Sequence, residues 1–451
     1  MAYSADTIAA LATPVGTSAL ATVRASGPLV AELGAAIFNE PPLPRLARHG
    51  DYRDRTGILI DDAVYIYFQA PNSYTGEDIL EISCHGNLFI VHKILDDLFA
   101  RGCRPAEPGE FTKRAFLNGR IDLSQAEAVV DLIQAHSERA LAAANQQLRG
   151  SLGRRMQDMI SRLLDLLANV EACIDFPEED LPPENRSSLL AGIQQLLADT
   201  GRLLATSHYG EMLRDGVKTV ILGEPNAGKS CLLNRLVGYE RALVSSEPGT
   251  TRDYLEERIA LGPHCIRLTD TAGLNASPAP LEKLGITKTL ERAAVADLIL
   301  LVFDATQVAP FLPPEILSRL TPQNTLVVIN KTDLVPNGPY PRPPENLPAL
   351  KVSALTGAGC DELVSAIIRH AESFRMEHGE DFIAINARHT NALNQATECL
   401  QAAMSKFPVE SPLELLASDL RGVLNAFGEI SGKIDNERIL DLIFAKFCIG
   451  K

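Results

Sequence analysis

The stretch Gly223-Glu224-Pro225-Asn226-Ala227-Gly228-Lys229-Ser230 reads G-x-x-x-x-G-K-S directly after a mostly apolar run, Val217 to Leu222. That order describes a strand feeding a loop whose backbone N–H groups cradle phosphate oxygens. Gly223 and Gly228 let the chain turn closely, Lys229 reaches the β and γ phosphates, and Ser230 offers a hydroxyl to Mg²⁺. Cys231 to Val237 reads as the helix whose N-terminus completes the anion site. The expected nucleotide contacts in this stretch are Asn226, Ala227, Gly228, Lys229, Ser230 and Cys231.

Three more motifs follow, each at the end of a run that reads as a strand. Ile266 to Thr269 leads to Asp270-Thr271-Ala272-Gly273, where Asp270 can hold Mg²⁺ through water and the Gly273 N–H can meet the γ phosphate. Thr325 to Ile329, apolar like Leu298 to Phe303, ends in Asn330-Lys331-Thr332-Asp333. The Asp333 carboxylate can accept both the ring N–H and the exocyclic amine of guanine, which adenine cannot supply. Lys331 lies along the base and Asn330 braces the loop. Val352 ends the last strand, and Ser353-Ala354-Leu355 supplies a backbone N–H for the base carbonyl. These residue types in this order imply a GTP-hydrolysing domain.

Between the first helix and the second strand lies Ser245-Ser246-Glu247-Pro248-Gly249-Thr250-Thr251-Arg252-Asp253, where a threonine must ligate Mg²⁺. Thr251 is the first choice and Thr250 the alternative. Leu274 occupies the place where a glutamine would orient the attacking water. Glu282 is the nearest suitable carboxylate, although by its residues alone it reads as a solvent-facing glutamate at the start of a helix ending near Ala296.

The elements that must position these loops are spread over 451 residues, enough for roughly two to four domains. A composition of 46% hydrophobic and 22% charged residues is that of a soluble globular protein. The absence of a long apolar run or signal core points to a cytoplasmic protein, with no membrane partner. Eight scattered cysteines without zinc spacing read as reduced thiols. A formal charge of −15 requires any nucleic-acid contact to come from a local basic patch.

Residues 1–122 read as a small α+β domain. Strands are expected at Thr7 to Leu11, Ala19 to Arg24, Gly57 to Leu59, Ala63 to Phe68 and Ile79 to Ser83, with helices near Pro28 to Phe38 and Leu88 to Arg101. Two polar stretches, Asn72 to Asp78 and Glu107 to Arg120, are solvated loops or a ligand site. At Ser124 the pattern becomes helical, with a capping box to Glu127 and a stripe of Ile160, Leu163, Leu164, Leu167, Val170 and Ile174. A second helix runs from about Pro183 to Ser207, and helices return at Ala387 to Lys406, Leu413 to Phe427 and Ile439 to Phe447. The last of these has apolar positions suited to docking the tail toward the interior of a dimer. The fold class expected is therefore multidomain, α/β and α+β. A helical domain, residues 123–215 and 374–451, is interrupted by an inserted Ras-like P-loop GTPase domain at 216–373.

The residues Ala70 to Asp78, Glu107 to Arg120, the loop containing Asn226, Gly249 to Asp253, and the tail Phe447-Cys448-Ile449-Gly450-Lys451 resemble the tRNA-modifying GTPase family MnmE, also called TrmE, over essentially the whole chain. The resemblance implies a homodimer working with the FAD protein MnmG, in a heterotetramer or larger assembly. Together they would add an aminomethyl-type group, commonly carboxymethylaminomethyl, to carbon five of the wobble uridine of certain tRNAs. It implies an N-terminal domain that dimerises and holds a formyl- or methylene-tetrahydrofolate, with Arg24, Glu81, Arg120 and Lys451 at the folate. It implies a potassium ion held by Asn226, Ser245, Glu247 and Thr250, in a nucleotide site that also includes Ser246, Pro248 and Gly249. It makes Glu282 the acid that positions water, and it gives Cys448 a role in tRNA modification, chemical or structural.

Two other readings fit less of the chain. An Era-like ribosome-assembly GTPase would carry an RNA-binding domain with a G-x-x-G loop after the nucleotide domain, and none is visible between Phe374 and Lys451. A lipid-anchored GTPase would use Cys448, fourth from the end, but Gly450 and Lys451 fit a prenylation box badly.

Overall fold

A computed structural model describes residues 6–175, 183–238, 256–270, 290–307, 312–336, 338–376, 382–406, 412–432, 447 and 450. The chain divides into two compact units, Met1–Val130 with Gly428–Lys451, and Asp131–Phe427.

The first unit is built on a six-stranded sheet in the order β3-β4-β5-β2-β1-β6. Its strands are β1 (Thr7–Leu11), β2 (Ser18–Ser26), β3 (Arg48–Arg53), β4 (Leu59–Phe68), β5 (Ile79–Gly86) and β6 (Cys103–Pro105). Only the β1–β6 pairing is parallel. Helices α1 (Val30–Phe38) and α2 (Leu88–Ala100) cover one face, burying Val30, Ile37, Val91 and Ile94 against Val23, Tyr65 and Ile82. The register sets Arg24 of β2 opposite Glu81 of β5.

Two expectations change here. Gly57 to Leu59 is a turn running into β4, because the Asp54 carboxylate accepts the N–H groups of Thr56 and Ile58 at 2.8 and 2.9 Å. The strand before it, β3, reads Arg-His-Gly-Asp-Tyr-Arg, the charged composition of a protected edge. The stretch from Glu107 is no loop, since Glu110–Leu117 forms α3. Its Arg114 is 3% exposed, and it and the stretch Asn72 to Asp78 are knitted together by ion pairs.

The expected capping box at Ser124 and Glu127 is displaced by two residues. Asp122 accepts the Gln125 N–H at 2.8 Å while the Gln125 side chain accepts the Asp122 N–H at 2.9 Å, opening α4 (Leu123–Ile133). The long helical pattern also breaks, at 134–137 and 149–150, into α5 (Glu138–Leu148) and α6 (Ser151–Asp175). Ser137 caps α5, and Gly150 has a φ of 80°. Of the α6 stripe, Ile160, Leu163, Leu167 and Val170 are buried, but Leu164 is 45% exposed.

In the second unit, α7 (Pro183–Ala205) and α8 (Ser207–Asp215) lead into a second six-stranded sheet, ordered β12-β11-β10-β7-β9-β8. The strands are β7 (Val217–Gly223), β8 (Glu256–Leu261), β9 (His264–Asp270), β10 (Leu298–Asp304), β11 (Thr325–Asn330) and β12 (Ala349–Lys351). Only β8 is antiparallel. Every residue of β10 and β11 is buried, as strands covered on both faces require. Helix α9 (Lys229–Val237), the short α10 (Pro314–Leu317) and α11 (Cys360–Met376) belong to this layer. Helices α12 (Ala387–Ser405) and α13 (Leu413–Ser431) follow, with α12 packed on α7. No helix among the described residues is long and apolar enough to cross a membrane. The described cysteines are all free thiols.

Candidate active site

The phosphate loop joins β7 to α9. At Gly223, φ is 156° and an added Cβ would lie 2.3 Å from the Val302 carbonyl oxygen on β10. The restriction there comes from this close approach. At Gly228 φ is 91°, in the left-handed region, and an added Cβ would lie 2.3 Å from Asn330 Nδ2. Asn226 also takes a left-handed φ, 63°, and is exposed. Lys229 is 8% exposed and its Nζ donates to the carbonyls of Gly223 and Glu224 at 3.1 and 2.9 Å. The ammonium is thereby held within the phosphate loop by its own carbonyls. Ser230 and Cys231 are exposed at the first turn of α9.

Asn330, 2% exposed, ties the phosphate loop to the base loop. Its Nδ2 donates to the Ala227 carbonyl at 3.0 Å, and its Oδ1 accepts the Ala354 N–H at 3.0 Å. Asn330 thus braces the two loops against each other. Within Ser353-Ala354-Leu355 the Ser353 N–H goes to Ala358 and the Ala354 N–H to Asn330, which leaves the Leu355 N–H as the donor available to a base. The Asp333 Oδ1 accepts the Ser353 hydroxyl at 2.5 Å, so this carboxylate is fixed from the neighbouring loop. Arg235 steadies that loop from α9 by donating to the Thr356 carbonyl at 3.1 Å.

Asp304, at the end of β10, escapes sequence reasoning. Its Oδ2 accepts Lys331 Nζ at 2.7 Å, and its Oδ1 accepts the Thr306 N–H and hydroxyl at 2.9 and 2.7 Å. Burial pushes the Asp304 carboxyl up, but the bonds from Lys331 and Thr306 outweigh it and hold it below the usual aspartate value. An immobilised lysine gives up about 2 kcal/mol of rotamer freedom, and this ion pair removes part of that loss before nucleotide arrives. Asp304→Asn is therefore expected to weaken GTP and GDP about equally, roughly tenfold, or ~1.4 kcal/mol, with turnover at saturation unchanged. Titration with a fluorescent GDP analogue checks this. In a Lys331→Ala background the same substitution should have little further effect, and additive losses would show that Asp304 acts elsewhere.

The remaining expected contacts, Ser245, Ser246, Glu247, Pro248, Gly249, Thr250, Thr251, Thr271, Ala272, Gly273 and Glu282, lie outside the described residues, as does the Asp270 side chain. Asp270 itself ends β9, paired in register with Ile221 of β7.

In the first unit, Arg24 Nε and Nη2 donate to Glu81 Oε1 at 2.9 and 2.7 Å. The Arg24 guanidinium lies 5.8 Å from the Tyr74 ring centroid and 5.6 Å from that of Phe111. Tyr74 is held by a 2.9 Å hydrogen bond to the Thr112 hydroxyl and stays partly exposed. Arg120 is exposed, and its Cγ packs near Gly76 of the same 72–78 loop. Cys448 and Lys451 lie outside the described residues. Gly450 is buried on the end of β1, where an added Cβ would meet the Leu11 carbonyl oxygen at 2.1 Å. Phe447 is 6% exposed and clusters with Leu123 and Ala126.

Residues 7–120 match the family described as GTP-binding protein TrmE N-terminus, and residues 123–448 match the MnmE helical domain. A tRNA modification GTPase MnmE from Opitutus terrae is 58% identical over 447 residues, covering 99% of both chains. One from Akkermansia muciniphila is 44% identical over 452 residues, again covering 99% of each. Among solved structures, Aquifex aeolicus Era Y63A bound to GDP.AlF4⁻ is 27% identical, covering 41% of this chain and 66% of that one, with a TM-score of 0.26. With two family matches along its length and full-length relatives this similar, the chain belongs to the MnmE (TrmE) family of tRNA modification GTPases.

Proposed function

We propose that this GTPase acts on tRNA, adding an aminomethyl-type group to carbon five of the wobble uridine in concert with the FAD protein MnmG and a tetrahydrofolate one-carbon donor. The observation that carries the nucleotide half is Asn330, which links the phosphate loop and the guanine loop through 3.0 Å bonds on both sides of its amide. The tRNA half rests on family membership over the whole length. Ser230 and Thr251 are the proposed Mg²⁺ ligands, and Mg²⁺ when bound supplies charge neutralisation at the phosphates. The chain's own contribution is positional, with Lys229 held for the phosphates and Asp333 for the base.

Asn226, Ser245, Glu247 and Thr250 are the proposed potassium ligands. The donor set fits at Asn226, whose side chain is exposed on the phosphate loop and makes no hydrogen bond among the described residues. Leu274, where a glutamine would orient water, leaves Glu282 as the proposed positioning acid. GTP turnover is expected to be several-fold faster in KCl than in NaCl at equal concentration, and Asn226→Ala should erase the difference. Equal rates for the unaltered chain would remove the ion from the mechanism.

Arg24, Glu81, Arg120 and Lys451 are the proposed folate contacts. Arg24 and Glu81 together offer donors and an acceptor beside the Tyr74 ring, a combination suited to the edge and face of a pterin. Gly450 on the end of β1 brings the C-terminal tail to the strand that pairs with β2, where Arg24 lies. Cys448 is proposed to serve the modification and not the GTPase step. Nucleoside analysis of tRNA from cells lacking the gene tests the whole reading, because the wobble uridines should then lack the group. Unchanged uridines would sink it.

A further inference from the structure

A chain of formal charge −15 that handles a polyanion needs a local cationic surface. Helices α6 and α7 carry one. Asp199 of α7 is 2% exposed and accepts Arg155 Nη2 at 3.0 Å, Arg162 Nη2 at 2.6 Å, and Arg202 Nη2. The three arginine side chains remain 37%, 32% and 70% exposed. Arg155 and Arg162, seven residues apart, share one face of α6. Exposed Arg154, on the adjacent side of α6 where its Nη1 donates to the Arg149 carbonyl at 2.6 Å, adds charge beside them, and residues 149–162 hold four arginines against one aspartate, Asp158, which pairs with Arg162 at 3.0 Å.

One buried carboxylate is neutralised by one guanidinium. Three, against Asp199 and the Asp158 that also pairs with Arg162, leave one positive charge in excess, whose repulsion packing alone does not repay. What the arrangement does provide is fixed direction. Burial pushes the Asp199 carboxyl up, but the bonds from Arg162 and Arg202 outweigh it, so the anion persists as an anchor. Each guanidinium spends one Nη on it; Arg155 and Arg202 keep other N–H donors for solvent or a ligand, whereas Arg162 also pairs with Asp158 at 3.0 Å and its Nε is buried. Arginines held in this way suit bidentate phosphate recognition. From Arg155 to Arg162 the row extends about 10 Å along the helix axis, which suits successive phosphates of a polymer better than one anion.

We propose that this arginine strip on α6 and α7 binds the phosphate backbone of tRNA. The proposal rests on the tRNA reading above. The test is fluorescence anisotropy of the full chain with a tRNA transcript across a KCl series. Arg202→Glu leaves Arg155 and Arg162 to neutralise Asp199, so GTP turnover without tRNA should be unchanged. The dissociation constant for tRNA should rise about tenfold and the salt dependence should flatten by about one counterion. Arg202→Lys should recover most of the affinity. If Arg202→Glu does not fold, Arg154→Glu, outside the ion cluster, should weaken binding about fivefold. Tight binding by the unaltered chain with equal binding by the glutamate variants would overturn the strip. So would competition by millimolar inorganic phosphate that abolishes the dependence on Arg202. No tRNA binding by the unaltered chain would instead remove the tRNA reading itself.

Discussion

Asp333→Asn is expected to lose GTP affinity by about 3–5 kcal/mol, a factor of roughly 10²–10⁴, and to gain xanthosine triphosphate in its place. The direction follows from the Ser353 hydroxyl, which donates to Asp333 Oδ1 at 2.5 Å. In the variant the amide oxygen keeps that donor, and the amide nitrogen is turned toward the base. Guanine presents N–H donors there, so two charge-assisted hydrogen bonds are lost and a donor faces a donor. Xanthine presents an oxygen at carbon two, which the amide can satisfy. The size of the effect comes from leaving polar groups unpaired in a closed site. Competition binding with GTP and xanthosine triphosphate measures it, and unchanged GTP affinity would show that Asp333 does not read the base.

Arg114→Met should cost the first unit about 3–5 kcal/mol, or ~10 °C in melting temperature at neutral pH. Arg114 is 3% exposed and donates to Asp6 Oδ1 at 2.8 Å, Glu110 Oε1 at 3.0 Å and Glu77 Oε2 at 3.0 Å. Removing it strands carboxylates, of which Glu110 is itself 6% exposed. Burial pushes the Glu110 carboxyl up, but bonds from Arg104, the Glu107 N–H and Arg114 outweigh it, and Glu110 titrates below the usual glutamate value. A depressed folded-state value adds stability that is present above the unfolded value and lost as pH falls through the folded one. The gap between the unaltered chain and the variant should therefore be widest near pH 7 and shrink below about pH 4. A pH series of thermal melts checks this, and a gap that widens in acid would contradict it.

The nucleotide loops were legible in the sequence because their chemistry is contiguous. A phosphate loop, Asn330 to Asp333 and Ser353 to Leu355 each place their donors within a few residues at a strand end. Contacts between distant stretches were not legible. Asp304 and Lys331 meet because β10 and β11 are parallel neighbours with Asp304 opposite Asn330, and no local pattern shows that register. The α3 helix was hidden by its Pro108-Gly109 start and by charges that look solvated until Arg114, Glu110 and Glu77 close on one another. Helical periodicity ran through 124–174, but turns at 134–137 and 149–150 cut it, with Ser137 supplying one cap and Gly150 one left-handed turn. The proposed folate contacts could be named by resemblance only. Their cross-strand pairing, Arg24 with Glu81, is a property of the β2–β5 register.

Nucleotide hydrolysis at this proposed guanine site is expected to drive the modification of tRNA. Its most direct test is a reconstituted reaction of the chain with MnmG, tetrahydrofolate donor and unmodified tRNA, read by mass spectrometry of the wobble nucleoside. The unaltered chain should modify tRNA with GTP and not with xanthosine triphosphate, and Asp333→Asn should do the reverse. Modification by both proteins at the same rate with either nucleotide, or with none, would contradict the account.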